Sequence, residues 1–212
     1  MKLYGYFRSS AAYRVRIALN LKGLDPERAY IHLRRKEQNA PEYVRMNPFA
    51  LVPTLEHDGH YLTQSLAIIE YLEEIQPLPP LLPQSSIDRA YVRSLALSIA
   101  CDIHPLNNLR VLNYLIERLR VEPAAKDAWY AHWIKLGLTA FEAVVSCDSR
   151  VGTYCFGDTP GLADLCLVPQ VYSAERMKCD LTDYPTVRRL AANARKLPAF
   201  QAAAPELQPD AD

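Results

Sequence analysis

The chain has 212 residues, half of them hydrophobic, enough for one large domain or for two smaller ones with cores of their own. Lysine plus arginine number 24 and aspartate plus glutamate 24, so no overall charge marks a nucleic-acid or anionic-membrane binder, and any positive site is local. No apolar run reaches membrane-spanning length, and Arg8 interrupts the start before a signal-peptide core forms, which makes the cytoplasm the expected location.

Lys2 to Phe7 reads as a strand, followed by a helix over about Ser10 to Lys22. Ala11, Val15, Ala18 and Leu19 share one face of that helix, and Gly23 is placed to end it. Glu27 to Leu33 reads as a second strand, which completes a βαβ unit and a parallel pair. A short helix ends before Pro48, and the runs Pro53–His57 and His60–Thr63 flank Asp58-Gly59, a strong hairpin signal. After Gln64-Ser65, Ile68, Ile69, Leu72 and Ile75 mark a closing helix. This order matches a thioredoxin-like α/β half over residues 1–77.

Residues 78–87 lie in a proline-rich stretch that reads as a stiff linker. Residues 88–212 hold no strand pattern and read as an all-α bundle. Its first helix runs from Asp88 to about Arg120 with a bend at His104-Pro105, because Pro105 lacks a backbone donor. Further helices cover roughly Ala124–Cys147, Leu162–Tyr172 and Thr186–Lys196.

The chemistry concentrates at "YFRSSAAYRVRIAL", Tyr6 to Leu19, where Arg8, Ser9 and Ser10 meet at the start of the first helix. A helix start presents unpaired N–H groups and partial positive charge, and suits an anion. A plain serine N-cap, worth about 1 kcal/mol, is the simpler reading of the same residues. The stretch contains no cysteine, so a thiolate there has to come with a ligand. Arg14 and Arg16 are expected to face solvent or the other domain. The five cysteines, Cys101, Cys147, Cys155, Cys166 and Cys179, lack C-x-x-C spacing and read as buried reduced thiols. His57 and His60 flank the hairpin turn without a third ligand, so no metal site is expected.

The string S-S-x-x-x-R-V-R-I-A-L, the Leu51-Val52-Pro53 turn, Gln64-Ser65, "CDIHPLNNLRVL" (Cys101–Leu112) and "LADLCLVPQVYSAERM" (Leu162–Met177) together resemble the zeta-class glutathione transferases over nearly the whole chain. That family contains the maleylacetoacetate and maleylpyruvate isomerases. Two departures stand out. Ala11 replaces a cysteine of the family string, so that cysteine is not required here. Gly161 replaces a Ser or Thr three residues before Asp164, which removes half of a capping box and predicts a modest loss of stability.

The resemblance implies glutathione as cofactor, with Ser9 activating its thiol, Ser10 as the alternative and Arg8 beside them. It implies that Gln64 and Ser65 hold the γ-glutamyl end, and that Val52 pairs with the cysteinyl unit before a cis Pro53. Lys36 and Gln38 lie in the loop over the glycine end. Asp102, His104 and Asn108 contribute from the helical half, in the same or a partner subunit of a homodimer. Arg8, Arg110 and Arg176 are the implied clamp for a small dicarboxylate substrate, because guanidinium pairs bidentately with carboxylate. The expected activity is glutathione-dependent conversion of maleylpyruvate to fumarylpyruvate, with maleylacetoacetate as the close alternative. A conjugating transferase and a non-catalytic binding protein on the same fold are the competing readings.

Overall fold

The structure is a computed structural model that describes residues 1–211. Residues 1–80 and the segment from Lys196 onward form one compact unit, and Leu81–Arg195 form a second. The terminal segment, read in the sequence as part of the helical half, thus packs with the first unit.

That unit is built on a mixed four-stranded sheet of order β2-β1-β3-β4. Strands β1 (Lys2–Gly5) and β2 (Glu27–Tyr30) are parallel, β3 (Thr54–His57) is antiparallel to β1, and β4 (His60–Thr63) closes the hairpin with β3. Asp58 and Gly59, at φ 50° and 77°, supply the two left-handed residues of a tight turn. Strands β1 and β2 stop earlier than their apolar patterns predict. The amide of Ile31 donates to Gly5 O in a last rung, and the amide of Ser9 then folds back onto Tyr6 O. This turn delivers the chain into α1 (Ser10–Leu21).

Helix α1 is buried all round, Ala12 through Leu19 without a break, rather than on the single face its periodicity predicts. Helix α2 (Pro41–Met46) sends Tyr43 into a cluster with Tyr6, Phe7 and Val52, while α3 (Ser65–Ile75) packs along α1. The rest of α1 is covered by the terminal segment, including the short helix Pro198–Ala202. Arg14 and Arg16 are therefore buried within this unit, contrary to the expectation that they face solvent or the other domain. Arg16 donates to the carbonyls of Ala203 (3.0 Å), Phe7 (3.0 Å) and Tyr6 (3.4 Å). Asn20 donates to Ala199 O, and the amide of Phe7 donates to the Asp210 carboxylate. At the end of α1, the buried Lys22 ammonium donates to Glu73 on α3 and to Pro79 O.

In the second unit the single bent helix expected over 88–120 is broken. Helix α4 (Ser86–Leu97) widens into a π-helical turn at Ser98–Ile103 and tightens into a 3₁₀ turn at His104–Asn107. Asn108 is extended and caps α5 (Leu109–Glu117) through the amide of Arg110. Two causes act together. Pro105 has no N–H to offer the ladder. Gly137, inside α6 (Pro123–Cys147), admits Ile103 so closely that a Cβ there would lie 2.3 Å from its side chain. Helix α7 (Leu162–Arg176) is the central helix, buried continuously from Leu162 to Val171, and α8 (Pro185–Ala194) packs beside it. Pro198–Ala202, absent from the sequence reading, is α9. Of the cysteines, Cys155 and Cys166 are buried as expected, but Cys101 and Cys147 are exposed and Cys179 is half-buried.

The start of α7 explains the departure at Gly161. The Asp164 carboxylate accepts the amides of Gly161 and Cys155, both at 3.0 Å. Burial pushes its carboxyl up, and those two amides pull the other way. A Cβ on residue 161 would stand 2.9 Å from Leu81 O, which already accepts the Leu162 amide. Glycine is thus fitted to the close passage of residue 81, and adding the missing hydroxyl does not recover stability. Gly161→Ser is expected to lower stability by about 1–3 kcal/mol through overpacking, read as a lower urea-denaturation midpoint at unchanged slope.

Candidate active site

Ser9 is the N-cap of α1, at φ −68° and ψ 116°, and its Oγ accepts the Ala12 amide at 3.2 Å. A serine hydroxyl has two lone pairs and one proton. The cap uses a lone pair, so the capping role and donation of the proton to an anion are compatible. No acidic residue lies in the first turn. Arg8 sits with its guanidinium carbon 4.7 Å from the centre of the Phe7 ring, next to the same helix start. Ser10 is the first residue of the helix itself.

The Leu51-Val52-Pro53 turn has the expected cis peptide between Val52 and Pro53. Two side chains that the sequence did not single out pin it. Tyr43 Oη donates to Leu51 O at 2.6 Å and meets Thr54 Oγ1 at 2.8 Å. Asn47 Nδ2 spans the same pair at 2.8 and 2.9 Å. The buried turn thereby presents the backbone of Val52 at a fixed height beside Tyr6 and Phe7.

Helix α3 opens at Ser65, with Gln64 as N-cap in a strained conformation, φ 68° and ψ 115°, and with no side-chain capping bond. Its first turn carries no acidic residue. Ser65 is buried, and its Oγ accepts from Arg14 Nη1 at 3.3 Å. Lys36 and Gln38 belong to a loop of two 3₁₀ turns that His32 and Glu37 organise. His32 Nδ1 accepts the Arg35 amide, its own amide donates to Glu37 at 2.6 Å, and its ring packs 5.2 Å from Tyr6. Gln38 Oε1 is buried without a hydrogen-bond partner among the described residues, an acceptor awaiting a donor.

In the first unit, Val52 packs in one cluster with Tyr6 and Phe7, which precede Arg8, Ser9 and Ser10 in the chain, and Ser65 is bonded to Arg14 of α1. Lys36 and Gln38 also belong to the first unit, and the remaining expected residues to the second. Asp102 is exposed in the π-helical turn, His104 opens the 3₁₀ turn, Asn108 caps α5, and Arg110 is exposed on α5. Arg176 ends α7 beside Tyr130, whose hydroxyl is raised chiefly by burial and lowered in part by that guanidinium. The hairpin histidine His57 is engaged instead by Tyr71 Oη at 2.6 Å.

Residues 1–74 match the family described as the glutathione S-transferase N-terminal domain. Over the full length of both chains, the structure is superposable with a TM-score of 0.98, at 48% identity, on the holo structure of a maleylpyruvate isomerase described as a bacterial zeta-class glutathione transferase. The chain belongs to the zeta-class glutathione transferases. A probable maleylacetoacetate isomerase of Vibrio cholerae is 52% identical over 99% of this chain and 97% of its own. A maleylacetoacetate isomerase of Anaeromyxobacter dehalogenans, 43% identical with a TM-score of 0.88 over 100% of this chain and 97% of that one, holds dicarboxyethyl glutathione and citrate in its active site.

Within this zeta-class chain, sequence reasoning overlooked Tyr43, Asn47, His32 and Arg14. Asn47-Pro48 is a turn-favouring dipeptide and was a usable signal. Tyr43 carried none. The backbone at Gln64 lies outside the ordinary left-handed well and is strained.

Proposed function

We propose that the chain is a glutathione-dependent cis–trans isomerase that converts maleylpyruvate to fumarylpyruvate. The observation that carries the reading is the full-length likeness to a zeta-class maleylpyruvate isomerase, supported by a helix start whose serine keeps a proton to donate. The second reading, maleylacetoacetate as substrate, is favoured by the Vibrio cholerae relative at 52% identity.

The residues fit glutathione. It carries an ammonium, two carboxylates and a thiol, and the first unit offers two acid-free helix starts, the turn at Val52 with its cis peptide, and the Gln38 side-chain oxygen, which has no hydrogen-bond partner among the described residues. When bound, glutathione supplies a thiolate that adds to an alkene conjugated with a carbonyl and leaves again, so that the double bond is briefly single and free to rotate. An ordinary cysteine-like thiol, with pKa about 8.5, is only about 3% ionised at neutrality. A shift of about two units makes it mostly thiolate, which corresponds to about 2.7 kcal/mol. Ser9 donates its free proton to the sulfur while its lone pair keeps the cap, and the α1 amides and Arg8 add positive potential. Ser65 and the start of α3 receive the γ-glutamyl carboxylate, Val52 pairs with the cysteinyl backbone, and Lys36 and Gln38 take the glycine end. Asp102, His104 and Asn108 complete the cofactor contacts.

Arg8, Arg110 and Arg176 hold the two substrate carboxylates. The Anaeromyxobacter dehalogenans relative supports this class of ligand, since dicarboxyethyl glutathione is a thioether bearing two extra carboxylates. The setting is a cytoplasmic homodimer. Ile87, Ala90, Ser94, Leu97 and Cys101 form an exposed stripe spaced three and four residues apart on α4 and its π-helical extension, suited to a second copy. All five cysteines are free thiols, as a reducing compartment keeps them.

The deciding experiment follows total free thiol while maleylpyruvate, maleylacetoacetate and a chlorinated aromatic electrophile are turned over separately with glutathione. Thiol is expected to stay constant through many turnovers of maleylpyruvate. Loss matched to product would make the enzyme a conjugating transferase, and faster turnover of maleylacetoacetate would move the substrate to the second reading. Ser9→Ala is expected to raise the pKa of bound thiol and to reduce kcat/KM by about 1.5–3 kcal/mol. Thiolate absorbance titrated in the binary complex reads the shift, and an unchanged titration with full activity would pass the role to Ser10 or to the helix amides.

A further inference from the structure

Arg14 is among the most deeply buried side chains of the protein, 1% exposed, yet it ends at the start of α3 rather than in apolar packing alone. Its Nη1 donates to Ser65 Oγ at 3.3 Å, in the interior, across the α1–α3 contact. We propose that Arg14 is a positioning residue for the γ-glutamyl carboxylate of glutathione, acting through the Ser65 hydroxyl that its guanidinium orients. The proposal rests on the reading of Ser65 given above and adds to it the residue that makes Ser65 a directed donor.

The direction follows from hydrogen-bond chemistry. A guanidinium has donors only and stays protonated at any pH a protein meets. At this contact Ser65 Oγ is therefore the acceptor, which turns the single hydroxyl proton away from Arg14. Serines near a helix start otherwise tend to bond neighbouring backbone groups and lose that proton to local capping. The α3 start also differs from those of α1 and α5. Ser9 caps α1 and Asn108 caps α5 with a side-chain oxygen, whereas Gln64 gives α3 no side-chain cap and the first turn has no carboxylate. The first amides of α3 have no intrahelical partner. They, the turned-out hydroxyl and a positive charge in a poorly screened interior all favour an anion at one point.

The test compares dissociation constants for glutathione and for its analogue with the γ-glutamyl α-carboxylate converted to an amide, measured by calorimetry on the parent, R14M, R14K, S65A and R14M/S65A. Methionine keeps most of the volume and removes both charge and donor. R14M is expected to weaken glutathione about tenfold and the amide analogue by less than about twofold. In the S65A background the same change is expected to shrink to about threefold or less, which a role in folding alone would not produce. R14K, which keeps the charge, is expected to recover much of the glutathione affinity. Equal losses for both ligands, or no loss in R14M, would overturn the proposal. If R14M does not fold, R14K carries the test, with a loss of about threefold expected for glutathione and none for the amide. Equal loss for both overturns the proposal there too. A parent that binds no glutathione would overturn the functional reading, and this proposal with it.

Discussion

Two guanidinium groups inside the first unit set the conditions that its other parts meet. Burying a charge is costly unless the surroundings supply partners, and removing one partner of such a group is worse than never having buried it. Arg16 draws its partners from the turn that ends β1 and from Ala203 in the terminal segment. Arg14 draws on Ser65 at the start of α3. Helix α1 is thereby tied to the strand exit, to the start of α3 and to Ala203 at once.

Helix starts in this protein are handled in distinct ways, and the differences track function. Asp164 closes the start of α7 with a buried carboxylate and two amides, a purely internal solution. Ser9 closes α1 with a lone pair and keeps a proton. The start of α3 has no side-chain cap and tolerates a strained Gln64. A start without a side-chain cap recurs at α4, α6, α8 and α9, so α3 is set apart by the positive φ of Gln64 and by the buried Arg14–Ser65 bond. The starts of α1 and α3 are the ones proposed to receive charge from a ligand.

Much of this was legible in the sequence, and the exceptions share a cause. Asp58-Gly59, Gly23 and Pro48 act through local backbone preferences, and the hairpin, α1 and α2 that they bound are where they were expected, whereas α9 was not foreseen although it too starts at a proline. Ser9, Ser65 and the cis Val52–Pro53 turn carried motif signals strong enough to place them. The burial of Arg14 and Arg16 did not, because the surface covering the second side of α1 lies more than 180 residues away along the chain. Periodicity in one helix says how wide its apolar face is and nothing about a late segment returning to cover the rest. The π-helical turn was equally hidden, since it depends on the match between Ile103 and a glycine 34 residues on. Tyr43 and Asn47 support the cis turn through side-chain bonds that no spacing rule encodes.

The return of the terminal segment to α1 also has a bearing on how the molecule is made. The second unit, Leu81–Arg195, is continuous and has all its residues before Lys196 and those that follow it are added. Most of the first unit precedes it in the chain but lacks the Ala203 carbonyl, the Ala199 carbonyl and the Asp210 carboxylate until residues beyond Arg195 have been made. During translation the order of completion is therefore inverted relative to the order of emergence. The segment that bears Ser9 waits, with one flank of its helix uncovered, until residues 198–210 have left the ribosome.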